Sequence, residues 1–175
     1  ALALYAWDTD EEQIVPDAER PALLAQLAAN CPRAERESAD RLLLKALAAS
    51  NDSAGLKADA KLRERVRQLL ADPAGTRTQM DSIVNFAPEI AKALAPDPGP
   101  ERRGIVAALD AALRRLQADA TLSRADRLSA LEGRVELARL EQPKDARHPK
   151  LGPALVREVR EHAARDDREI VDAYE

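Results

Sequence analysis

The sequence predicts an all-α fold, an irregular multi-helix bundle or helix-pair superhelix of about seven to eight amphipathic helices. Three observations carry this. Apolar residues recur at three- and four-residue spacing along almost the whole chain, no strand-like alternation rich in β-branched or aromatic residues appears, and proline, glycine and Asx clusters punctuate the periodic stretches. The 175 residues are 45% hydrophobic and 33% charged, which suits a folded domain with a core. Aromatics make up only 2%, so alanine and leucine must build that core from closely packed helices.

A short helical end is expected over about 1–7. Asp17 and Glu19 then open a helix to about Asn30, with Pro21 tolerable in its first turn and Pro32 after its stop. The next helix covers about 34–49, with Ala39, Leu43, Ala46 and Leu47 on one face; Leu42 and Leu44 widen that face toward further neighbours. Ser50 to Gly55 reads as a loop. A helix over about 58–71 groups Leu62, Val66, Leu69 and Leu70 and ends at Asp72-Pro73. Another, about 76–86, uses Met80, Ile83, Val84 and Phe86, and Pro88 divides it from a short helix reaching Leu94.

Pro96-Asp97-Pro98-Gly99-Pro100 is the clearest break, a stiff connector between an N-terminal half (1–95) and a C-terminal half (101–175) of one continuous helical domain. A helix over about 101–118 follows, striped by Ile105, Val106, Leu109, Ala112, Leu113 and Leu116. Ser123-Arg124-Ala125-Asp126 resembles a capping box, with Asp where Glu is usual, and opens a helix to about 141 striped by Leu128, Leu131, Val135 and Ala138. Residues 142–153 form a turn-rich loop, and a last helix from about Pro153 carries Leu155, Val156 and Val159, with Ile170 and Tyr174 as its possible continuation. The uneven helix spacing does not match the 34-residue tetratricopeptide period.

The net charge of −4 sits in the first half: residues 1–100 hold 16 acids and 12 bases, and residues 101–175 hold 15 of each. With no basic face or tail, nucleic-acid binding is not expected. No apolar run approaches the ~20 residues of a membrane span, so membrane insertion is not expected either. The chain opens inside an apolar stretch without Met and stops inside a helical pattern, as an excised domain would.

Candidate chemistry is sparse. Counted from Asp8, a calcium loop finds acids at Asp8, Asp10, Glu12 and Glu19, but Gln13 replaces the glycine of its sharp turn and Pro16 follows. The stretch reads as a solvated loop, with Asp17 and Glu19 favouring the next helix N-terminus. Tyr5 and Trp7 read as structural, or as the seam with a neighbouring domain if exposed. Cys31 is the lone cysteine, at a helix C-terminus where the polarity opposes a thiolate; Arg33 and Arg36 partly offset this. It reads as inert, with a mixed-disulfide role as the alternative.

His162 shares a helix face with Glu158 and Asp166, but a zinc site needs another ligand, and only His148 is available. Ion pairing with the surrounding arginines is the expected use. Arg63, Arg65, Arg67 and Arg114-Arg115 read as solvated faces, and Ala74 to Thr78 as a very weak anion site before a helix. No cofactor or metal is expected, and no catalytic motif is visible.

The set Tyr5-Ala6-Trp7-Asp8-Thr9-Asp10-Glu11, Cys31-Pro32, Arg41 to Leu47, and Leu122-Ser123 with Arg127-Leu128 and Leu131 resembles the helical region that follows the thioredoxin-fold domain in certain bacterial thioredoxin-family proteins. The resemblance spans about residues 2–140. It implies a thiol–disulfide parent exported to the periplasm, a cytoplasmic address being the alternative, with this chain as its appended helical domain. The family's redox chemistry rests on Cys-x-x-Cys, which this chain lacks, so no catalytic residue carries over. The expected role is a non-catalytic interaction or scaffolding domain whose partner is a protein, either a neighbouring domain or a client. The alternatives are thiol–disulfide exchange through Cys31 or binding of a small ligand.

Overall fold

The computed structural model describes residues 19–49, 60–140 and 152–163. These form eight helices and no strand: α1 (Arg20–Asn30), α2 (Arg33–Ala49), α3 (Ala60–Ala71), α4 (Pro73–Thr78), α5 (Met80–Leu94), α6 (Pro100–Ala118), α7 (Arg124–Leu140) and α8 (Pro153–Ala163). The expected end helix at 1–7 and the continuation beyond Ala163 lie outside the described residues.

Local chemistry sets most boundaries. Pro21 sits in the first turn of α1, where a missing N–H costs nothing, and the Cys31 backbone N–H closes the helix by donating to Leu27 O at 2.8 Å. Ser123 and Asp126 cap α7 reciprocally. The Asp126 N–H donates to Ser123 Oγ (3.1 Å), and the Ser123 N–H donates to Asp126 Oδ2 (3.3 Å).

One boundary differs from the sequence expectation. Where a single helix over about 76–86 is expected, residues 73–78 form a separate short helix, α4. Asp72 caps it by accepting from the Ala74 N–H at 3.1 Å. Gln79 then breaks the helical path before α5. The division expected at Pro88 is present: two helical stretches meet within α5 at a kink at Phe86 (φ −129°, ψ 16°), two residues before the proline. Phe86, expected on the apolar face, is turned outward at 39% exposure.

The kink has a packing consequence. Pro88 has no N–H, so the Val84 carbonyl loses its donor four residues on. Helix α7 crosses at that carbonyl, and the crossing residue is Gly133. A Cβ there would lie 3.0 Å from Val84 O and 3.3 Å from Leu113 Cδ2, so any larger residue would push the neighbouring atoms back by a few tenths of an ångström.

The main core joins α1, α2, α3, α5, α6 and α7. Leu24, Leu43, Leu47, Val66, Ile90, Leu94, Ile105, Leu109 and Leu113 belong to one continuous cluster, which therefore crosses the proline-rich connector. Helix α5 lies centrally, against α2, α6 and α7. Two small clusters lie apart. Ala28 and Ala39 meet where α1 and α2 join, with Cys31 beside them, and Leu131 and Val135 of α7 pack with Leu155 and Val159 of α8.

Candidate functional site

Tyr5, Trp7, the acidic loop from Asp8 to Asp17 and His148 lie outside the described residues, as does Asp166. Glu19 is described. It precedes α1 as N-cap with helical backbone angles and makes no side-chain cap bond.

Cys31 is a free, half-buried thiol at the α1–α2 corner. Its Sγ donates to the Ala28 carbonyl at 3.6 Å, and its packing partners are Ala28, Ala39, Leu27 and Leu42. The nearest arginine with a described side chain in the adjoining sequence, Arg36, is exposed.

Polar chemistry is concentrated on ties between helices. Between α2 and α3, Arg65 Nη2 bridges both oxygens of Asp40, at 2.5 and 2.7 Å. Burial is the largest influence on Asp40 and holds its carboxyl above the usual aspartate range, against the hydrogen bond and charge of Arg65. The buried Gln79 ties the same region from below α5, donating from Nε2 to Glu37 O at 2.8 Å. Further along, Arg102 Nε donates to Ala95 O at 2.7 Å across the connector, and Arg115 Nη2 donates to Leu70 O.

The most developed cluster centres on Arg134. Its side chain is 1% exposed, yet three polar partners from two other helices surround it. Arg134 Nε donates to Asp110 Oδ1 at 2.9 Å, and Nη1 donates to Gln117 Oε1 at 2.5 Å, both on α6. Nη1 also donates to Glu158 Oε2 on α8, with Nη2 lying 3.5 Å from Oε1. Gln117 Nε2 donates to the same Glu158 oxygen at 3.1 Å, and Arg114 Nε holds the second oxygen of Asp110 at 2.9 Å. Burial works against the charge of Arg134, but Glu158 and Asp110 hold its pKa above the ordinary arginine value. Burial likewise works to raise Glu158, but the hydrogen bond and charge of Arg134, with Gln117 and Arg114, hold it below the usual glutamate range.

Several sequence expectations need correction here. Arg65 and Arg115 are not on solvated faces: both side chains are half-buried and reach across to another helix. Arg63 is also largely covered and pairs with Glu101 at 2.7 Å. Ala74 to Thr78 is helix rather than an anion-receiving loop, and Asp72 occupies its N-terminus. Glu158, expected to serve the His162 face, is engaged by Arg134 instead.

Arg134 itself was not singled out from sequence. The available signal was its position, three residues after Leu131 and one before Val135, on the edge of the α7 apolar stripe. Its partners lie 17 to 24 residues away, beyond the reach of helical spacing.

Among the described residues, no group of three or more His, Cys, Asp and Glu is placed to hold a metal ion, and no helix is long and apolar enough to cross a membrane. Compared with protein-family models, curated proteins and solved structures, the chain has no match in any of the three.

Proposed function

We propose that this chain is a non-catalytic helical interaction or scaffolding domain, appended to a thioredoxin-like protein of the bacterial periplasm. One observation carries the scaffolding part. The covered arginines and carboxylates hold helices to one another, as in Asp40–Arg65 and in the Arg134 cluster, or hold backbone carbonyls, as Arg102 and Arg115 do. Ties of this kind fix helix positions and leave the outer faces to present a partner. The thioredoxin address rests on the resemblance of the segments around Trp7, Cys31 and Leu128.

The test uses the reading frame that encodes the chain. A Cys-x-x-Cys thioredoxin-fold segment is expected beside it, and that segment is expected to bind the isolated chain saturably. Trp7 is the single tryptophan, so its emission reports directly on the expected seam. No such segment in the frame, or no shift of Trp7 emission on adding it, overturns the reading.

The alternative is thiol–disulfide exchange through Cys31, and its support is a free thiol that is only half-buried. A thioredoxin-type partner with its resolving cysteine replaced would trap a mixed disulfide with the wild-type chain and not with Cys31→Ser.

A further inference from the structure

We propose that the α7 face around Arg134 is an acceptor site for an acidic amphipathic helix of a partner protein, and that α8 occupies it as a built-in competitor. The inference rests on the interaction-domain reading and specifies the partner's chemistry.

Two of the three groups that hold Arg134 come from α6 rather than α8. Asp110 and Gln117, both on α6, hold the Arg134 guanidinium at Nε and Nη1. With Arg134 clamped in this way, its Nη1 and Nη2 edge is directed at the place where the Glu158 carboxylate sits. Leu131, one turn before it, and the adjacent Val135 supply the apolar floor. A site that is rigid before its ligand arrives binds with less ordering cost.

The occupant side is small and separable. Helix α8 buries two apolar anchors, Leu155 and Val159, in a cluster distinct from the main core. Pro153, Ala154, Arg157, Arg160 and Glu161 face solvent. The pattern that docks is therefore apolar-x-x-acid-apolar, which defines the partner: a helix with a carboxylate between two aliphatic anchors one turn apart. The carboxylate matters because Arg134 is covered, and its charge is matched by acid from both sides, Asp110 and Glu158.

The probe is a fluorescein-labelled peptide with the sequence of residues 152–163, added to the full chain carrying Leu155→Ser and Val159→Ser, with binding read by anisotropy. Saturable binding is expected, at least about tenfold tighter than to the wild-type chain, whose own α8 competes at high effective concentration. A peptide carrying Glu158→Gln is expected to bind about tenfold or more weakly, the loss of one charge-assisted pair. That substitution is in the peptide, so it leaves the chain's folding unchanged. Should the double-serine chain lose its helical circular dichroism, the same peptides are titrated into the wild-type chain and amide shifts of residues 131–138 are followed by NMR. Binding that ignores Glu158→Gln, or no saturation with either chain, overturns the proposal. Light scattering that shows dimers formed by exchange of α8 overturns it as well, because the occupant would then be a second copy. None of these failures touches binding of a neighbouring domain, which tests the broader reading separately.

Discussion

Asp40 and Glu158 each hold an arginine of another helix, one between α2 and α3 and the other between α8 and α7. The bond chemistry is the same, but the electrostatics run in opposite directions. Asp40 is the more buried carboxylate and has one arginine in hydrogen-bond contact, so desolvation prevails and its pKa lies above the usual range. Glu158 keeps 29% of its side chain in solvent and is served by both Arg134 and Gln117, so the favourable contacts prevail and its pKa is depressed. At Arg134 the burden is reversed, because there the cation is covered and the carboxylates stay wet. A buried cation with three acceptors is a well-satisfied tie, whereas a buried anion with one donor group is a strained one.

Removing the hub is expected to give the largest effect. Arg134→Met removes the shared donor of Asp110, Gln117 and Glu158 and should destabilise by ~2–3 kcal/mol in urea unfolding. A loss under ~1 kcal/mol would mean the cluster is no tighter than a surface pair.

Next is the backbone crossing at α5 and α7. Gly133→Ala places a Cβ against the Val84 carbonyl, which cannot yield as a flexible side chain would. A loss of ~1–3 kcal/mol is expected. The same substitution at Gly104, where only an arginine tip lies nearby at 3.8 Å, should be neutral or stabilising by up to ~1 kcal/mol, since alanine is the better helix former.

The opposite-pole tie should respond weakly. Replacing Asp40 and Arg65 together by Leu and Met is expected to change stability by less than ~1 kcal/mol or to increase it, because the desolvation of the pair disappears with the pair. A loss comparable to that of Arg134→Met would erase the contrast between the two ties.

Acid separates them by sign. Glu158 has a depressed pKa in the fold, so its contribution is complete above the unfolded value of about 4.3 and is lost as pH falls through the lower folded value. Asp40 has a raised pKa, so its contribution is present below about 3.9 and declines as pH rises through the raised folded value. Hydrogen-exchange protection in α8 should therefore fall first on acidification below about pH 4.3, ahead of α2 and α3. Uniform loss across the bundle would show that α8 is not a separate unit. The smallest effect is expected at Phe86→Ala, within ~0.5 kcal/mol, because that ring already faces solvent.

Helix existence was readable because its causes are local. Pro21, Pro100 and Pro153 each mark a start, the Ser123–Asp126 pair caps α7, and the stripes of Leu62, Val66 and Leu70 or of Ile105, Leu109 and Leu113 are buried as their spacing requires. The break before Pro88 was readable as well, because the strain a proline imposes is taken up in the turn before it, here at Phe86. The arginines were not readable in this way. Arg65 and Arg115, expected on solvated faces, look in any short window like Arg114, which pairs with Asp110 of its own helix, and only the acceptor on another helix sets them apart.

The sequence by itself determined an all-α chain, most helix boundaries and the apolar faces, since these follow from backbone donors, proline geometry and a 3.6-residue period. Only the tertiary structure decided that Gly133 seats α7 on the carbonyl Pro88 left free, and that α8 stands apart from the main core. It also decided that Arg134, rather than any residue near Cys31, gathers the polar chemistry. Those outcomes depend on which groups meet across tens of residues, and a buried charge takes its character from the partners that reach it.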